Sequence, residues 1–227
     1  RKFQDTIQYI AEGPHRYWIG VGDYCECINI SDKRFDPYSV DPSYNIPMLS
    51  RLIETQTNDI LSYLDPIKDK CLGLLSGNHE ETIRLRYHHD ILYEMAHRWN
   101  KPGINIGYDR FVRVRFLRNK KSEKIKGSSH VFTIYASHGF GASRNSGPKV
   151  NRLESVAHSF DADIIILAHE HKMVIAPPII KLGLNEWGGL VQKKQIAVMS
   201  GSFLKSYVEG AVSYAEKSGY PPSDLGT

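Results

Sequence analysis

Apolar positions along the chain follow two periods, one of three to four residues and one of two. The longer period predicts amphipathic helices at residues 2–11, 49–64, 82–99 and 149–160. Short apolar runs predict buried strands at residues 17–21, 71–75, 164–167 and 195–199. Apolar and charged residues alternate strictly over 110–116, and a second strand is predicted at 131–135. Together they predict a β-hairpin. Helices and strands in this order are typical of a layered α/β fold, a sheet sandwich flanked by helices.

Composition agrees with a folded chain of ordinary type. The 227 residues are 41% hydrophobic and 24% charged, and no internal repeat or low-complexity stretch divides them, so we predict a single domain over 1–227. Disordered and fibrous classes are excluded. No apolar run reaches the roughly 18 residues that a membrane helix requires, which predicts no membrane partner. Both ends have the character of cut ends, and we expect the intact protein to continue beyond them.

Net charge and cysteine content indicate the kinds of partner and the cellular compartment, but they do not indicate the function. The net charge of +4 permits anionic partners, including nucleic acid, without requiring them. The chain has three cysteines, Cys25, Cys27 and Cys71. A small and odd number of cysteines does not fit a disulfide framework. A reducing compartment is therefore favoured, and we expect a cytoplasmic location.

Polar side chains cluster at the ends of four predicted strands. The clusters are Gly22-Asp23, Gly77-Asn78-His79-Glu80, His138-Gly139 and His169-Glu170-His171. Each has an ordinary structural explanation when taken alone, such as a turn at Asp23 or a helix cap at Asn78. In open α/β sheets, however, ligands bind where the carboxyl ends of strands meet, so four clusters in series predict one site.

The residue types in these clusters predict metal ligands. Histidine nitrogens with carboxylate and amide oxygens suit divalent Mn, Fe, Ni or Zn, with Mn the best choice for an assay. Because no cysteine takes part, a closed structural zinc site is not indicated.

The order of these motifs resembles that of the calcineurin-like metallophosphoesterases. Their motifs run D-x-H, G-D-x-x-D, G-N-H-D/E, a lone His, and G-H-x-H, and the resemblance spans residues 18–171. The resemblance implies a two-metal phosphoesterase that hydrolyses phosphate mono- or diesters with a metal-bridging hydroxide. The segment 200–216 is also similar to phage or prophage phosphoesterases, a likeness that no physical argument supports.

The resemblance also implies a role for each matched residue. Asp23 would bridge the two metals, Asn78, His138 and His169 would bind the second metal, and His171 would bind the first. His79 would be the general acid that protonates the leaving group.

The chain departs from the family pattern in three places. Glu26 stands where the family has Asp, and Ala168 replaces the Gly before His169, but neither change removes a ligand. The D-x-H motif is absent upstream of Asp23. We expect the first strand, with its Asp and His, to precede Arg1 in the intact protein; the alternative is a degenerate site.

Two other functions compete with a general phosphoesterase. A DNA-processing nuclease of the same superfamily is supported by the basic hairpin tip alone, Arg118, Lys120, Lys121, Lys124 and Lys126. The tip also fits a solubilising turn. A degenerate member that binds a partner protein is supported by the absent D-x-H motif, whereas retention of His79 argues against it. The substrate and the oligomeric state do not follow from the sequence.

Overall fold

The computed structural model describes residues 1–117, 129–209, 212–222 and 225–226. Its helices are α1 Lys2–Glu12, α2 Ile46–Ser50, α3 Leu52–Leu64, α4 Asn78–Tyr87, α5 Ile91–Arg98, α6 Ser146–Ser159 and α7 Tyr214–Lys217. Its strands are β1 Trp18–Gly20, β2 Cys71–Leu75, β3 Asn105–Gly107, β4 Asp109–Leu117, β5 Ser129–Ser137, β6 Ile164–Leu167, β7 Val174–Ile175, β8 Ile179–Leu184 and β9 Leu190–Met199. Short 3₁₀ segments lie at Pro37–Ser39, Asp65–Lys70 and Pro102–Ile104.

The fold is mixed α/β, as the alternating pattern predicts. Strands β1, β2 and β3 form a parallel sheet in that order. A mixed sheet has the order β4-β5-β6-β9-β7, in which β5, β6 and β9 are parallel to one another. Strand β8 lies off this path and pairs antiparallel with β9. The carboxyl ends of β5 and β6 therefore lie side by side, and so do those of β1 and β2.

Two hydrophobic clusters hold these layers together. The first joins helices α1, α3, α4 and α5 to the parallel sheet, with Leu74, Ile83 and Met95 almost fully buried. The second lies between α6 and the mixed sheet and contains Leu153, Ile165 and Met199. Apolar residues at helical spacing on α6 meet residues of period two on β6 and β9, which is why the two sequence patterns pack on each other. No helix in the described ranges is long and apolar enough to span a membrane.

Several predicted elements are confirmed and others are wrong in detail. Strands 71–75 and 164–167 have the predicted bounds, and the hairpin forms as β4 and β5. The single helix predicted over 82–99 is instead two helices, because His88 adopts a left-handed conformation (φ 54°) that ends α4. The helix predicted over 49–64 is likewise interrupted, at Arg51.

The segment 172–189 lies outside the elements predicted above, and it contains β7 and β8. The alternation of apolar and polar residues does not reveal β8, because its exposed side chains, Ile180, Leu182 and Leu184, are apolar. The basic hairpin tip, from Arg118 to Lys126, lies outside the described residues.

Candidate metal centre

Four strands deliver the predicted ligands to one place. Asp23 follows β1, Asn78 follows β2, His138 follows β5 and His169 follows β6. Parallel pairing of β1 with β2 and of β5 with β6 brings each pair of loops together at the carboxyl ends. Asn78 is the first residue of α4, with Gly77 as its N-cap, so the helix-cap explanation of Asn78 is wrong.

The side chains converge on one ring nitrogen, Nε2 of the nearly fully buried His138. This atom lies 3.4 Å from Asp23 Oδ2, 3.1 Å from Asn78 Oδ1 and 3.2 Å from His169 Nδ1. The ligand atoms of Asp23, His138 and His169 all lie within 4.8 Å of one another. A carboxylate oxygen, an amide oxygen and two imidazole nitrogens thus face a common point.

This donor set fits a divalent cation. The converging atoms are mostly hydrogen-bond acceptors, and a single N–H at His138 cannot satisfy all of them at once. Nδ1 of His138 lies 2.6 Å from the carbonyl oxygen of Val21. A proton on Nδ1 that is donated to this carbonyl leaves the Nε2 lone pair free, the arrangement that metal-binding histidines usually have.

The electrostatics of the cluster couple its members. Burial alone would raise the pKa of Asp23, but the hydrogen bond and charge of His138 outweigh it and hold that pKa below its ordinary value. Burial would in turn lower the pKa of His138, and Asp23 outweighs it, so that pKa is raised. Burial lowers the pKa of His169, and repulsion from His138 adds to the effect. Asp23 and His138 thus each favour the charged form of the other when no cation lies between them.

Three of the predicted ligands have backbone conformations that non-glycine residues rarely adopt. The φ angles are 55° at Asp23, 72° at His169 and 52° at His171. Left-handed backbone costs on the order of 1 kcal/mol at each such residue. Residues of this kind concentrate at functional sites, where the conformation aims a side chain that the surrounding structure requires there.

His171 lies outside the three-residue cluster. It is exposed overall, yet surrounding protein atoms desolvate its ring enough to lower its pKa, an effect that Asp23 partly opposes. Asp23 and His171 are therefore close enough to interact electrostatically, although they do not share one set of converging atoms with His138.

His79 adjoins the cluster without joining it. Its backbone N–H donates to Asp23 Oδ1 at 3.1 Å, and its ring Nδ1 lies 2.6 Å from the carbonyl oxygen of Glu26. The carbonyl accepts a hydrogen bond from Nδ1–H, which orients the ring and leaves Nε2 as the atom able to exchange a proton with a ligand. The Glu26 side chain is exposed, so its backbone, not its carboxylate, makes this contact.

Glu80 is a supporting residue that sequence reasoning did not assign. Its carboxylate is 2% exposed and accepts backbone N–H groups of Asp23 and Gly77 at Oε2, both at 2.8 Å. Oε1 accepts those of Tyr24 at 2.8 Å and Cys25 at 3.5 Å. Burial and the charge of Asp23 raise the pKa of Glu80, and the backbone donors oppose this. Since each oxygen already accepts two N–H groups, the ionised form fits the geometry.

Glu170 is the second unassigned support, and it holds the loop that carries His169 and His171. Its side chain is almost completely buried and pairs with Lys149 at 2.9 Å and with Arg152, both on α6. Lys149 also donates to the Glu170 carbonyl at 2.9 Å. Glu170 stands between the two histidines in the sequence, but its partners lie about twenty residues upstream. A short sequence motif does not span that distance, so it does not indicate the contact.

Comparisons with known proteins add no family assignment. No family model, no curated protein and no solved structure matches this chain.

Proposed function

We propose that the chain is a metal-dependent phosphoesterase domain of the calcineurin-like kind. The observation that supports the proposal is the convergence of Asp23, Asn78 and His169 on Nε2 of His138, at 3.1 to 3.4 Å. These residues occur in the order of the family's motifs and lie at the ends of four strands. The resemblance in sequence and the donor geometry thus point to the same chemistry.

The four converging side chains would hold one divalent ion. Of the predicted ligands, His171 would contribute to a second ion, together with Asp23. The chemistry that bound divalent ions supply at such a site is polarisation of phosphoryl oxygens and acidification of a water molecule.

The protein's own groups then perform two tasks. The Glu80 and Glu170 anchors keep the ligand-bearing loops in place before substrate arrives, so no reorganisation is required during the reaction. The ring of His79, oriented by the Glu26 carbonyl, presents Nε2 as a proton donor to the departing alcohol oxygen. A positioned acid of this kind contributes about 10² to 10⁴ in rate.

The alternatives have less support. No described residue favours the DNA-processing nuclease, because the basic tip on which that prediction depends lies outside the described residues. The partner-binding alternative is supported by the absent D-x-H motif. A role in partner binding alone, however, does not explain why the imidazole of His79 is held beside Asp23.

The test is hydrolysis of p-nitrophenyl phosphate and bis-p-nitrophenyl phosphate with added Mn²⁺. We expect metal-dependent turnover that falls by about 10² to 10⁴ in His79→Asn with Mn²⁺ binding retained, because His79 is proposed as proton donor and not ligand. His15→Asn, at an exposed histidine in the turn before β1 and so at the opposite end of that strand from Asp23, is the matched control and should have full activity. Metal binding without turnover of either ester would refute the proposal and favour the partner-binding alternative.

A further inference from the structure

Tyr108 connects the two sheets beside the metal centre. It is the single residue between β3, which ends at Gly107, and β4, which begins at Asp109. Gly107 pairs with the last residue of β2, and Asp109 pairs with the last residue of β5. The register of the two sheets therefore places Tyr108 level with the ends of the strands that precede Asn78 and His138.

Tyr108 contacts His138 through both its main chain and its side chain. Its carbonyl oxygen accepts the backbone N–H of His138 at 3.0 Å. Its ring packs in a T-shaped arrangement against the imidazole, with 5.4 Å between the ring centroids, a geometry that aromatic pairs prefer. Since Nε2 of this imidazole is the point on which the proposed ligands converge, the phenol of Tyr108 is held at the side of that point.

The hydroxyl of Tyr108 makes only a weak hydrogen bond within the protein. It donates to the carbonyl oxygen of Gly139 at 3.3 Å, whereas most O–H···O bonds are near 2.7 to 2.8 Å. Tyr108 is 40% exposed, although His138 beside it is 1% exposed. A stronger acceptor that enters the site from solvent can therefore take this hydrogen bond in place of the carbonyl.

The cations carried by α6 and by the loop after β6 are already engaged. Lys149 and Arg152 pair with the buried carboxylate of Glu170. Lys172 donates to the hydroxyl of Ser146 at 2.7 Å. Turning Lys149 or Arg152 toward a ligand would weaken a buried ion pair, which is costly. The phenol hydroxyl can be redirected without such a loss.

We propose that the hydroxyl of Tyr108 donates a hydrogen bond to a phosphoryl oxygen of the bound substrate, in exchange for its bond to Gly139. The inference rests on the proposed function, and it adds to the site a substrate-binding residue that lies outside the four motifs. Hydrogen bonds to an anionic oxygen are shorter and about twice as strong as those between neutral groups. The exchange therefore favours a phosphate ligand over water.

The test is titration calorimetry of the Mn²⁺-loaded protein with inorganic phosphate. Tyr108→Phe retains the ring that packs on His138 and loses only the hydroxyl, so its Mn²⁺ affinity should equal that of the wild type. Its phosphate affinity should fall about 10- to 100-fold, the range expected when a hydrogen bond to a charged group is lost.

Tyr63→Phe is the matched control, because it also removes one phenol hydroxyl from a half-exposed side chain (46%). Tyr63 lies in the last turn of α3, which leads to the amino end of β2 and so away from the metal centre. Both affinities should be unchanged in this variant.

The outcomes separate this inference from the proposed function. If Tyr108→Phe binds both Mn²⁺ and phosphate as the wild type does, the inference is wrong and the proposed function stands. Weaker Mn²⁺ binding in Tyr108→Phe would also overturn it, because the hydroxyl would then support His138 and not the substrate. A wild-type chain that binds Mn²⁺ but no phosphate would contradict the inference, and one that binds no Mn²⁺ would overturn both proposals.

Discussion

Replacement of Glu80 by glutamine should destabilise the protein far more than its mild chemistry suggests. The Glu80 carboxylate accepts four backbone N–H groups, two at each oxygen. Glutamine has one carbonyl oxygen, so its NH₂ group would face two N–H donors that lose their acceptor. A buried donor without a partner costs about 1 to 3 kcal/mol, which gives about 2 to 6 kcal/mol for the pair.

Urea unfolding of the metal-free protein measures this effect directly. The matched control is Glu81→Gln, one residue along α4, where the carboxylate pairs with Arg84 three residues away at the surface. Removing a pair of this kind should change the free energy of unfolding by less than about 1 kcal/mol. If the two variants lost equal stability, the interpretation of Glu80 as the anchor of the Asp23 loop would be wrong.

Two further substitutions test the loops around the cluster. Glu170→Gln leaves two cations on α6 without their buried partner and should lower the free energy of unfolding by about 3 to 5 kcal/mol, measured by thermal or urea unfolding. The control Asp161→Asn removes an equal charge from an exposed pair and should cost less than about 1 kcal/mol. A similar loss of stability in both variants would contradict the argument. Gly77→Ala would place a Cβ on the carboxylate of Asp23 and should weaken Mn²⁺ binding in titration calorimetry, whereas Gly103→Ala, where a Cβ meets open space, should not. Equal affinity in both glycine variants would show that the Asp23 loop moves freely.

The sequence predicts the fold well where the spacing of apolar residues and the length of the apolar run indicate the same type of element. Strand β2 ends directly at the Gly77 turn, and β6 ends directly before the His169 loop, so the elements that carry the motifs have strong local signals. The failures are of two kinds. His88 breaks a helix whose apolar spacing continues on both sides, and a left-handed residue leaves no mark in periodicity. Strand β8 is apolar on its exposed face, opposite to the pattern that identifies a half-buried strand.

The candidate site could be predicted as a set of residues but not as an arrangement. The motifs named Asp23, Asn78, His138 and His169, and the structure brings these four together. His171 was predicted with equal weight, and its separation from the cluster depends on the conformation of the loop after β6. The anchoring roles of Glu80 and Glu170 depend on contacts with distant backbone and with α6, which no local pattern encodes.

Titration calorimetry with Mn²⁺ tests the central claim most directly, because the proposed function requires that His138 and its three neighbours bind a divalent ion. We expect the wild-type chain to bind Mn²⁺, and we expect His138→Ala and Asn78→Ala each to weaken the affinity at least about 10-fold, the lower end of what loss of even a supporting group costs a metal site. His158→Ala, at an exposed position on α6, should bind as the wild type does. A folded wild-type chain that binds no divalent ion, or a His138→Ala variant with unchanged affinity, would contradict the account.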